Sequence, residues 1–328
     1  ESKNTENGDK QMKIGIALLI IAVIMCILIL IFSFGMVQFI TRPEKWSLED
    51  FKKRIEDDGV SFECFLKSRR EVFNVYSDYG YELHGFLMKQ ENPTDRYVIL
   101  THGYSGNRWE SLAYANIYYE LGYHVYLYDM RYHGDNDDGE ESFCSMGCYE
   151  HMDILTIAEE LRRRFGEEIC IGLHGVSLGA SSSILALRLY EGFSFCVSDC
   201  GFADLKDLMA YLAGKWFHLP KMMMYPVNWA CYCKYHFDLL KIKPWKALQK
   251  NMVTPLLFIH GTADDFILSS HAKRLYEAAS SYKELHYIEG AEHARSIYQS
   301  PEEYRRIVTE FLRRVCPDRT EISRKIEI

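Results

Sequence analysis

The chain has 328 residues, of which 48% are hydrophobic and 14% aromatic, and it carries a formal net charge of −8 at pH 7. This length has room for a membrane segment and one large domain or two small ones, and the composition is rich enough for a sizeable buried core. The acidic balance argues against a nucleic-acid-binding protein, because phosphate partners require a basic surface.

The first element is an apolar run of 27 residues, 14–40, without a charged side chain. About 20 apolar residues cross a bilayer as a helix, so the run is long enough with some tilt. A cleaved signal peptide usually has a shorter apolar region of roughly 7–15 residues and a small-residue cleavage site. Here Phe32, Phe34 and Phe39 crowd the end of the run. We therefore predict a tail over 1–13 and an uncleaved transmembrane anchor over 14–40, embedded in a lipid bilayer.

The orientation of this anchor in a cell membrane depends on the basic residues on its two sides. Three lysines precede the run, and five basic residues follow it: Arg42, Lys45, Lys52, Lys53 and Arg54. The positive-inside rule therefore favours a cytoplasmic catalytic domain, although large domains translocate largely regardless of charge.

Residues 41–68 form a predicted linker between the anchor and the rest of the chain. Apolar side chains recur in it at helical spacing: Trp46, Leu48, Phe51 and Ile55. This spacing predicts an amphipathic helix in the linker.

From residue 69 to residue 328, short apolar strands alternate with helical stretches. Segments 71–77 and 81–89 flank an Asp-Tyr-Gly turn and are predicted to pair as a hairpin. Six more strands are expected, at 97–100, 124–129, 169–173, 195–198, 255–259 and 284–288. Helices are expected between them, near 109–121, 147–165, 178–191, 269–280 and 301–315. A hairpin followed by repeated β-α units predicts a mostly parallel central sheet with helices on both faces.

The sharpest motif is Gly175-Val176-Ser177-Leu178-Gly179, which has the form G-x-S-x-G. It follows one predicted strand and precedes one predicted helix, as a nucleophile elbow does. In such an elbow the glycines allow a sharp turn that exposes the serine hydroxyl at the carboxyl edge of the sheet. The N–H of Leu178, at the start of the helix, is the first candidate donor for an oxyanion.

A second glycine-containing loop, Thr101-His-Gly-Tyr-Ser-Gly-Asn107, comes directly after another predicted strand. A hydrolase that forms a tetrahedral intermediate needs two aimed N–H donors, and the loss of one costs roughly 3–4 kcal/mol. The N–H of Tyr104 is the candidate for the second donor. The alternative is an ordinary glycine-rich turn with no role in chemistry.

A serine hydroxyl needs a positioned base and a carboxylate that orients the base. In an elbow-type hydrolase the chain order is nucleophile, acid, base. After Ser177, an acidic loop at 260–265 and the loop 290–293 each follow a predicted strand. We assign Asp264 as the acid and His293 as the base. Asp265 is the immediate competitor for the acid, and Asp199 is a rarer alternative.

Four other histidines and one arginine near the predicted strand ends are expected to have structural roles and not catalytic ones. His102 is expected to shape the loop around Tyr104, and His174 and His260 to pack or hydrogen-bond near the sheet. Arg131 and His133, in a loop after a strand, are expected to be structural. No histidine, cysteine or carboxylate cluster has the spacing of a metal site. We therefore predict neither a metal nor a cofactor.

Segment 203–250 interrupts the β-α alternation with a helical pattern and is the predicted site of an inserted cap. It is rich in apolar and aromatic side chains: Leu208, Met209, Tyr211, Leu212, Trp216, Phe217, Met222, Met223, Met224, Tyr225, Trp229 and Tyr232. One interpretation is that they only pack the insertion onto the sheet. The other is an adaptable apolar roof over a substrate, since methionine-rich surfaces re-pack around varied ligands.

Taken together, these blocks resemble the α/β-hydrolase superfamily from about residue 69 to the last predicted helix. The matching pieces are THGYSGN, DMRYHG, HGVSLGA, SDCGFADL, IHGTADDFI and GAEHA. With the N-terminal span, the chain looks like bacterial membrane-anchored hydrolases labelled cell-surface hydrolases, which are related to serine aminopeptidase-like and esterase-like proteins. This resemblance implies a triad of Ser177, Asp264 and His293, an oxyanion hole at Tyr104 and Leu178, and an outward-facing catalytic domain. One departure is the acidic stretch 135–138, where such hydrolases tend to carry serine.

The leading functional hypothesis is a membrane-anchored serine hydrolase that cleaves carboxylic esters or thioesters of a small acyl substrate with an apolar part. A serine peptidase acting on short peptides is the second hypothesis. A catalytically inactive membrane-bound binding protein is the third, and the complete set of five site positions argues against it.

Overall fold

A computed structural model of the protein describes residues 2–136 and 142–317. It begins with one long helix, α1 (Ser2–Thr41). Within the described residues, its segment Asp9–Thr41 is the single helix long and apolar enough to cross a bilayer, and its most apolar stretch is not covered by other parts of the protein. The apolar run predicted as an anchor is therefore helical throughout.

The last turns of α1 pack on the rest of the protein. Val37 and Ile40 are buried in the main hydrophobic core. The Tyr104 hydroxyl donates to the carbonyl groups of Phe39 and Ile40, each at 3.0 Å. These carbonyls belong to the helix end, where no intrahelical donor remains for them. The helix end is thus built into the domain that follows it.

The linker contains two short helices, α2 (Leu48–Asp57) and α3 (Glu63–Lys67), in place of one amphipathic helix. Helix α2 begins after Ser47, whose hydroxyl accepts a hydrogen bond from the N–H of Asp50 at 3.0 Å, as an N-cap residue does. Trp46 therefore lies outside the helix. Phe51 and Ile55, one turn apart, form its buried face as predicted.

The predicted strands are confirmed, with boundaries that move by a few residues. Residues 2–136 and 142–317 contain ten strands: β1 (Arg69–Val72), β2 (Val75–Tyr76), β3 (Glu82–Leu83), β4 (Gly85–Lys89), β5 (Arg96–Thr101), β6 (His124–Tyr128), β7 (Cys170–Val176), β8 (Phe193–Asp199), β9 (Leu256–Gly261) and β10 (Lys283–Ile288). The predicted hairpin is present but divided, since β1 pairs with β4 in the main sheet and β2 with β3 in a small second sheet.

In the part of the chain that the structure describes, the main sheet has eight strands in the order β1-β4-β6-β5-β7-β8-β9-β10. Pairs β1–β4 and β4–β6 are antiparallel, whereas every pair from β6 to β10 is parallel. The carboxyl ends of the parallel strands therefore meet at one edge of the sheet, where binding loops collect in open α/β sheets.

Helices cover both faces of this sheet. After the linker they are α4 (Leu112–Glu120), α5 (Glu150–Phe165), α6 (Leu178–Ala186), α7 (Leu205–Phe217), α8 (Met224–Tyr235), α9 (Pro244–Leu248), α10 (Ser270–Ala278), α11 (Ser296–Gln299) and α12 (Pro301–Val315). Side chains of α5, α6 and α10 belong to one core cluster, and those of α4 and α12 to the other. Helices α7 to α9 fall within the segment predicted as a cap, 203–250.

Candidate active site

Ser177 occupies a sharp turn between β7 and α6. Its backbone angles, φ 55° and ψ −114°, lie outside the ordinary allowed regions. A Cβ on Gly175 would lie 2.3 Å from the carbonyl of Gly179, and a Cβ on Gly179 would lie 2.2 Å from the Thr101 oxygen. The Ser177 N–H donates to the carbonyl of Asp199 at 2.8 Å. This is the strained strand-to-helix turn that the G-x-S-x-G pattern predicts.

Ser177, His293 and Asp264 form a continuous hydrogen-bonded chain. Oγ of Ser177 lies 2.9 Å from Nε2 of His293, and Nδ1 of His293 lies 2.8 Å from Oδ2 of Asp264. Because an ionised carboxylate only accepts, the proton of a neutral imidazole lies on Nδ1, and Nε2 can take the serine proton. The structure thus brings the three predicted side chains together, from loops after β7, β9 and β10.

The Asp264 carboxylate is fully buried and heavily hydrogen-bonded. Its Oδ1 accepts from the N–H groups of Phe266 (3.0 Å) and Ile267 (2.8 Å). Its Oδ2 also lies 3.1 Å from Nε2 of His260, which is 2.7 Å from the Ile267 carbonyl and therefore carries a proton. Burial alone would raise the pKa of Asp264, but the hydrogen bonds from His260 and His293 hold it well below its usual range.

The two competing carboxylates lie in different surroundings. The side chain of Asp265 is 82% exposed and pairs with Lys215 at 2.7 Å. Asp199 is buried at the end of β8, where burial raises the pKa of its carboxyl to about 6. Among the described residues, neither carboxylate is hydrogen-bonded to His293, so the geometry favours Asp264 as the partner of the imidazole.

The loop after β5 lies directly beside the serine, since a Cβ on Gly103 would be 3.5 Å from the Ser177 Cβ. The N–H of Met130 donates to Nε2 of His102 at 2.9 Å, so the His102 proton lies on Nδ1 and points at the Gly103 carbonyl, 2.7 Å away. Burial and the nearby His133 keep the pKa of His102 well below its usual range. The Tyr104 N–H lies across the same peptide plane and therefore points the opposite way.

Two further bonds hold this loop. The Gly103 N–H donates to Oε2 of Glu110 at 2.8 Å, and the Ser105 N–H donates to Nε2 of His133 at 3.2 Å. Burial lowers the pKa of His133 to about 4, which keeps its Nε2 an acceptor. Together with His102 these contacts make the loop rigid, so its N–H groups are oriented before any ligand arrives.

The acidic stretch 135–138 falls partly outside the described residues, because Asp137 and Asp138 are not among them. Within the described part, Asp135 forms an ion pair with Arg108, which also pairs with the buried Asp129 at 2.6 Å. Asp135 is therefore held against the domain by its ion pair with Arg108.

An apolar cavity of about 180 Å³ borders Ser177. The domain and the cap contribute most of its lining: Tyr104, Met146, Leu178, Phe202, Leu208, Met209, Leu212, Ala213, Trp216, Phe217, Met224, Phe266 and Ile267. The remaining side chains, Met36, Phe39 and Ile40, come from the last turns of α1. The cavity is therefore enclosed jointly by the cap and the N-terminal helix.

A second cavity, of about 320 Å³, also borders Ser177, and His293 is part of its lining. Its wall is more polar and includes Arg54 of α2, Asp58 directly after this helix, Glu110 and Arg295. Arg295 and Asp58 form a two-pronged ion pair, with both distances at 2.8 Å. Ser177 thus lines both an apolar cavity and a cavity with charged side chains.

The side chains of this site are poorly suited to bind a metal ion. Within the described residues, one group has ligand atoms close enough to share an ion: Cys200, Asp264 and His293, all within 4.8 Å. The hydrogen bond between His293 and Asp264 already uses two of these ligands. Burial raises the pKa of Cys200 well above its usual value, so its sulfur stays a protonated thiol, a weak ligand.

The N-terminal segments contribute to the site in a way that the sequence patterns do not predict. Segment 14–40 is predicted as a tether and segment 41–68 as a linker, whereas α1 lines the apolar cavity and α2 the polar one. One signal was available: the 27 uncharged residues exceed the roughly 20 that a bilayer requires. The residues in excess are those that pack on the domain.

Comparison with known proteins identifies the family. The sequence model of the prolyl oligopeptidase family matches residues 114–317. The uncharacterised protein YqkD of Bacillus subtilis (strain 168) is 31% identical over 268 residues, which cover 80% of this chain and 86% of that protein. Residues 114–317, which the family model matches, contain Ser177, Asp264 and His293.

Solved structures share the fold. The esterase Pf2001 of Pyrococcus furiosus aligns with a TM-score of 0.62 and 23% identity, over 76% of this chain and 93% of its own. The acylaminoacyl peptidase of Pyrococcus horikoshii aligns with a TM-score of 0.59 and 20% identity, over 78% of this chain but 43% of its own. With strand order, elbow and helical layers as described, the chain has the predicted α/β-hydrolase fold and belongs to the prolyl oligopeptidase family of serine hydrolases.

Proposed function

We propose that this protein is a membrane-anchored serine hydrolase that cleaves carboxylic esters or thioesters through an acyl-enzyme on Ser177. The observation that carries the proposal is the bonded chain from Ser177 through His293 to Asp264, placed beside an apolar cavity. A buried serine in a strained turn, with an imidazole at 2.9 Å, has the arrangement of an activated nucleophile.

The proposed reaction follows the positions of these atoms. Nε2 of His293 takes the Ser177 proton as Oγ attacks the acyl carbon. The N–H groups of Tyr104 and Leu178 stabilise the oxyanion, and His293 then protonates the leaving oxygen or sulfur. A water molecule, deprotonated by His293, next attacks the acyl-enzyme and releases the acid. The buried Asp264 carboxylate stabilises the imidazolium formed in each step.

The linings of the two cavities indicate where the leaving group and the acyl group of the substrate bind. The leaving group must lie next to His293, because His293 delivers its proton. His293 lines the polar cavity and is absent from the lining of the apolar one. The leaving alcohol or thiol is therefore proposed to occupy the polar cavity, beside Arg54 and Glu110. The acyl group occupies the apolar cavity beneath the cap.

The proposed location is a cell membrane, with α1 as the anchor. Residues 14–32 of α1 carry no charge and are almost entirely uncovered by protein. An apolar helical surface of this size is unfavourable in water and favourable in hydrocarbon.

A second candidate function is the cleavage of peptide bonds. It is favoured by the family description, prolyl oligopeptidase, and by the carboxylate of Glu110 in the polar cavity. Esters and amides of the same acyl group distinguish the two functions. A serine esterase is expected to cleave the ester far faster, whereas a peptidase is expected to cleave an aminoacyl amide at a comparable rate.

Labelling with a fluorophosphonate tests the proposed mechanism on the full-length protein in detergent micelles. The wild type is expected to be labelled stoichiometrically and Ser177→Ala not at all, since the probe requires an activated serine. A panel of esters with rising acyl length then measures how the apolar cavity is used. An unlabelled wild type, or full ester hydrolysis by Ser177→Ala, would contradict the mechanism and favour an inactive binding protein.

His102→Leu tests the positioning of the oxyanion loop. Loss of the His102 bond leaves the Gly103 carbonyl with the N–H of Gly106, at 3.1 Å, as its remaining donor, so the peptide that carries the Tyr104 N–H is held less firmly. Because small misplacements of catalytic groups are costly, kcat is expected to fall about 100-fold, with KM nearly unchanged. His286→Leu, on β10, is the control and should retain wild-type kcat. If His102→Leu raises KM and leaves kcat intact, the loop does not act on the transition state.

A further inference from the structure

The cap carries a cluster of exposed apolar side chains beside α1. Six large ones are between 45% and 68% exposed: Trp216, Phe217, Met222, Tyr225, Trp229 and Tyr232. We call these six residues the cap surface. Contiguous exposed apolar patches are uncommon on soluble proteins and mark contacts with a partner or a membrane.

The cap surface continues the exposed surface of α1. The rings of Trp229 and Phe34 meet edge to face, with their centres 6.3 Å apart. One turn further along α1, Gln38 accepts a hydrogen bond from Nζ of Lys234 at 2.6 Å. Any medium that surrounds α1 at this level therefore also contacts the cap.

The length of α1 sets this level relative to a bilayer. Among the side chains of α1 that the structure describes, Ser33 is the first that is fully buried. The uncharged stretch before it, 14–32, spans about 28 Å at 1.5 Å per residue, close to the thickness of a hydrocarbon core. The hydrocarbon of a bilayer consequently ends near Phe34, where the cap begins to contact α1. Tryptophan and tyrosine are the residues that prefer this boundary.

Charge on the cap has the sign that suits a membrane surface. Segment 203–250 contains eight lysines, three aspartates and no arginine or glutamate, which gives it a charge of +5 in a chain of −8. Lys221 lies between two residues of the cap surface in sequence, and Lys234 follows the last of them. Basic side chains beside an apolar face are typical of segments that lie on anionic lipid.

The apolar cavity opens toward the same side. Phe39 of α1 and Trp216 and Phe217 of α7 line the cavity and are also substantially exposed. The mouth therefore lies between the end of α1 and the cap, at the proposed level of the bilayer surface. An acyl chain could pass from lipid to Ser177 without crossing water.

We propose that the cap surface is a bilayer-contact surface through which Ser177 receives membrane-borne acyl lipids. This proposal rests on the proposed function for its substrate and adds the partner, a lipid bilayer, and the route of entry. The apolar acyl chain enters from the bilayer between α1 and α7, and the polar leaving group occupies the cavity beside Arg54.

A pair of matched double variants tests this proposal in the full-length protein reconstituted into phosphatidylcholine vesicles. Met222→Asp/Tyr232→Asp places charge on the cap surface, at positions 68% and 58% exposed and outside both cavities. Met252→Asp/Val253→Asp is the control, at positions 64% and 59% exposed. The control residues precede β9, so they lie at the sheet edge opposite Ser177.

Two substrates are compared, a water-soluble short-chain ester and a long-chain ester incorporated in the vesicles. We expect the cap variant to hydrolyse the soluble ester as the wild type does and the vesicle-borne ester at least about 10-fold more slowly. The control should match the wild type on both. Adding phosphatidylglycerol to the vesicles should raise the rate at which the wild type hydrolyses the vesicle-borne ester. Added salt should reverse this increase in rate. Equal rates for cap variant and control on the vesicle-borne ester would overturn the proposal.

A measurement without hydrolysis separates the two proposals. In Ser177→Ala vesicles, lipids brominated in their acyl chains should quench the fluorescence component that Trp229→Phe removes. Quenching supports the membrane contact even if the protein proves not to be an esterase. If Trp229 is not quenched, the proposed membrane contact is wrong. This result is expected if the cap surface is buried against a second copy of the chain or faces water.

Discussion

Asp264→Asn is expected to lower kcat for ester hydrolysis by about 10⁴-fold, with KM changed little. The Asp264 carboxylate accepts the proton of His293 Nδ1 at 2.8 Å. An amide can present N–H groups to the ring, which favours the tautomer with its proton on Nε2. That tautomer cannot take the Ser177 proton, and an imidazolium formed beside the amide has lost its stabilising charge. Single-turnover kinetics on a soluble ester measure the effect.

The control is Asp265→Asn, which removes the neighbouring carboxylate. Asp265 is largely exposed and pairs with Lys215 at the surface, so its loss should change kcat little and stability by less than about 1 kcal/mol. If Asp265→Asn abolishes hydrolysis and Asp264→Asn does not, the assignment of the acid is wrong. Asp199→Asn provides a second comparison and should leave the His293 tautomer unchanged.

The depressed pKa of Asp264 also sets the direction of a pH effect. Folding lowers this pKa, so the ionised carboxylate stabilises the protein at pH values above the ordinary range of an aspartate. That contribution is lost as the pH falls toward the depressed pKa of the folded state. Protonation of Asp264 therefore does not limit activity under mildly acidic conditions.

The site residues could be predicted because each lies in a short sequence motif directly after a strand, and the fold brings these motifs together at the carboxyl edge of the sheet. Gly175 to Gly179, the loop before Asp264 and the loop before His293 each follow an apolar strand directly. In a parallel sheet, the carboxyl ends of consecutive strands meet. The sequence positions of the loops therefore predict their proximity in space, without knowledge of any contact between side chains.

The contributions of α1 and α2 could not be predicted in this way. Met36 and Phe39 lie about 140 residues before Ser177 in the sequence, and a uniformly apolar helix has no periodicity that distinguishes one face from another. Arg54 belongs to an amphipathic helix whose charged face could equally contact solvent. Contacts of this kind depend on how the elements dock, which local patterns do not specify.

The linker helix was misplaced for a related reason. The apolar spacing of Trp46, Phe51 and Ile55 suits a helix, but the pattern alone does not fix its first residue. The segment between α1 and α2 contains Pro43 and the N-cap residue Ser47, so the two helices are not continuous. Trp46 therefore precedes α2, and its ring packs on Phe51 and lines the polar cavity.

Gly179→Ala is expected to lower the free energy of unfolding by about 3 kcal/mol, at the upper end for overpacked sites. A Cβ at Gly179 would lie 2.2 Å from the Thr101 oxygen and 2.5 Å from the His102 oxygen. Both atoms belong to backbone at the end of β5, so no side chain can rotate away. Helix α6 must shift from the strand, and the shift should also reduce kcat. Urea denaturation of the full-length protein in detergent measures the stability.

Gly214→Ala is the matched control, because Gly214 also lies within a helix and a Cβ there would be 3.9 Å from its nearest neighbour. Alanine favours a helix over glycine by roughly 0.5–1 kcal/mol, so this variant should be slightly more stable than the wild type. The difference between the two variants isolates the contact between α6 and β5. That contact holds the Ser177 turn against the loop that carries Tyr104. If Gly179→Ala is as stable and active as Gly214→Ala, the close approach does not position the oxyanion loop.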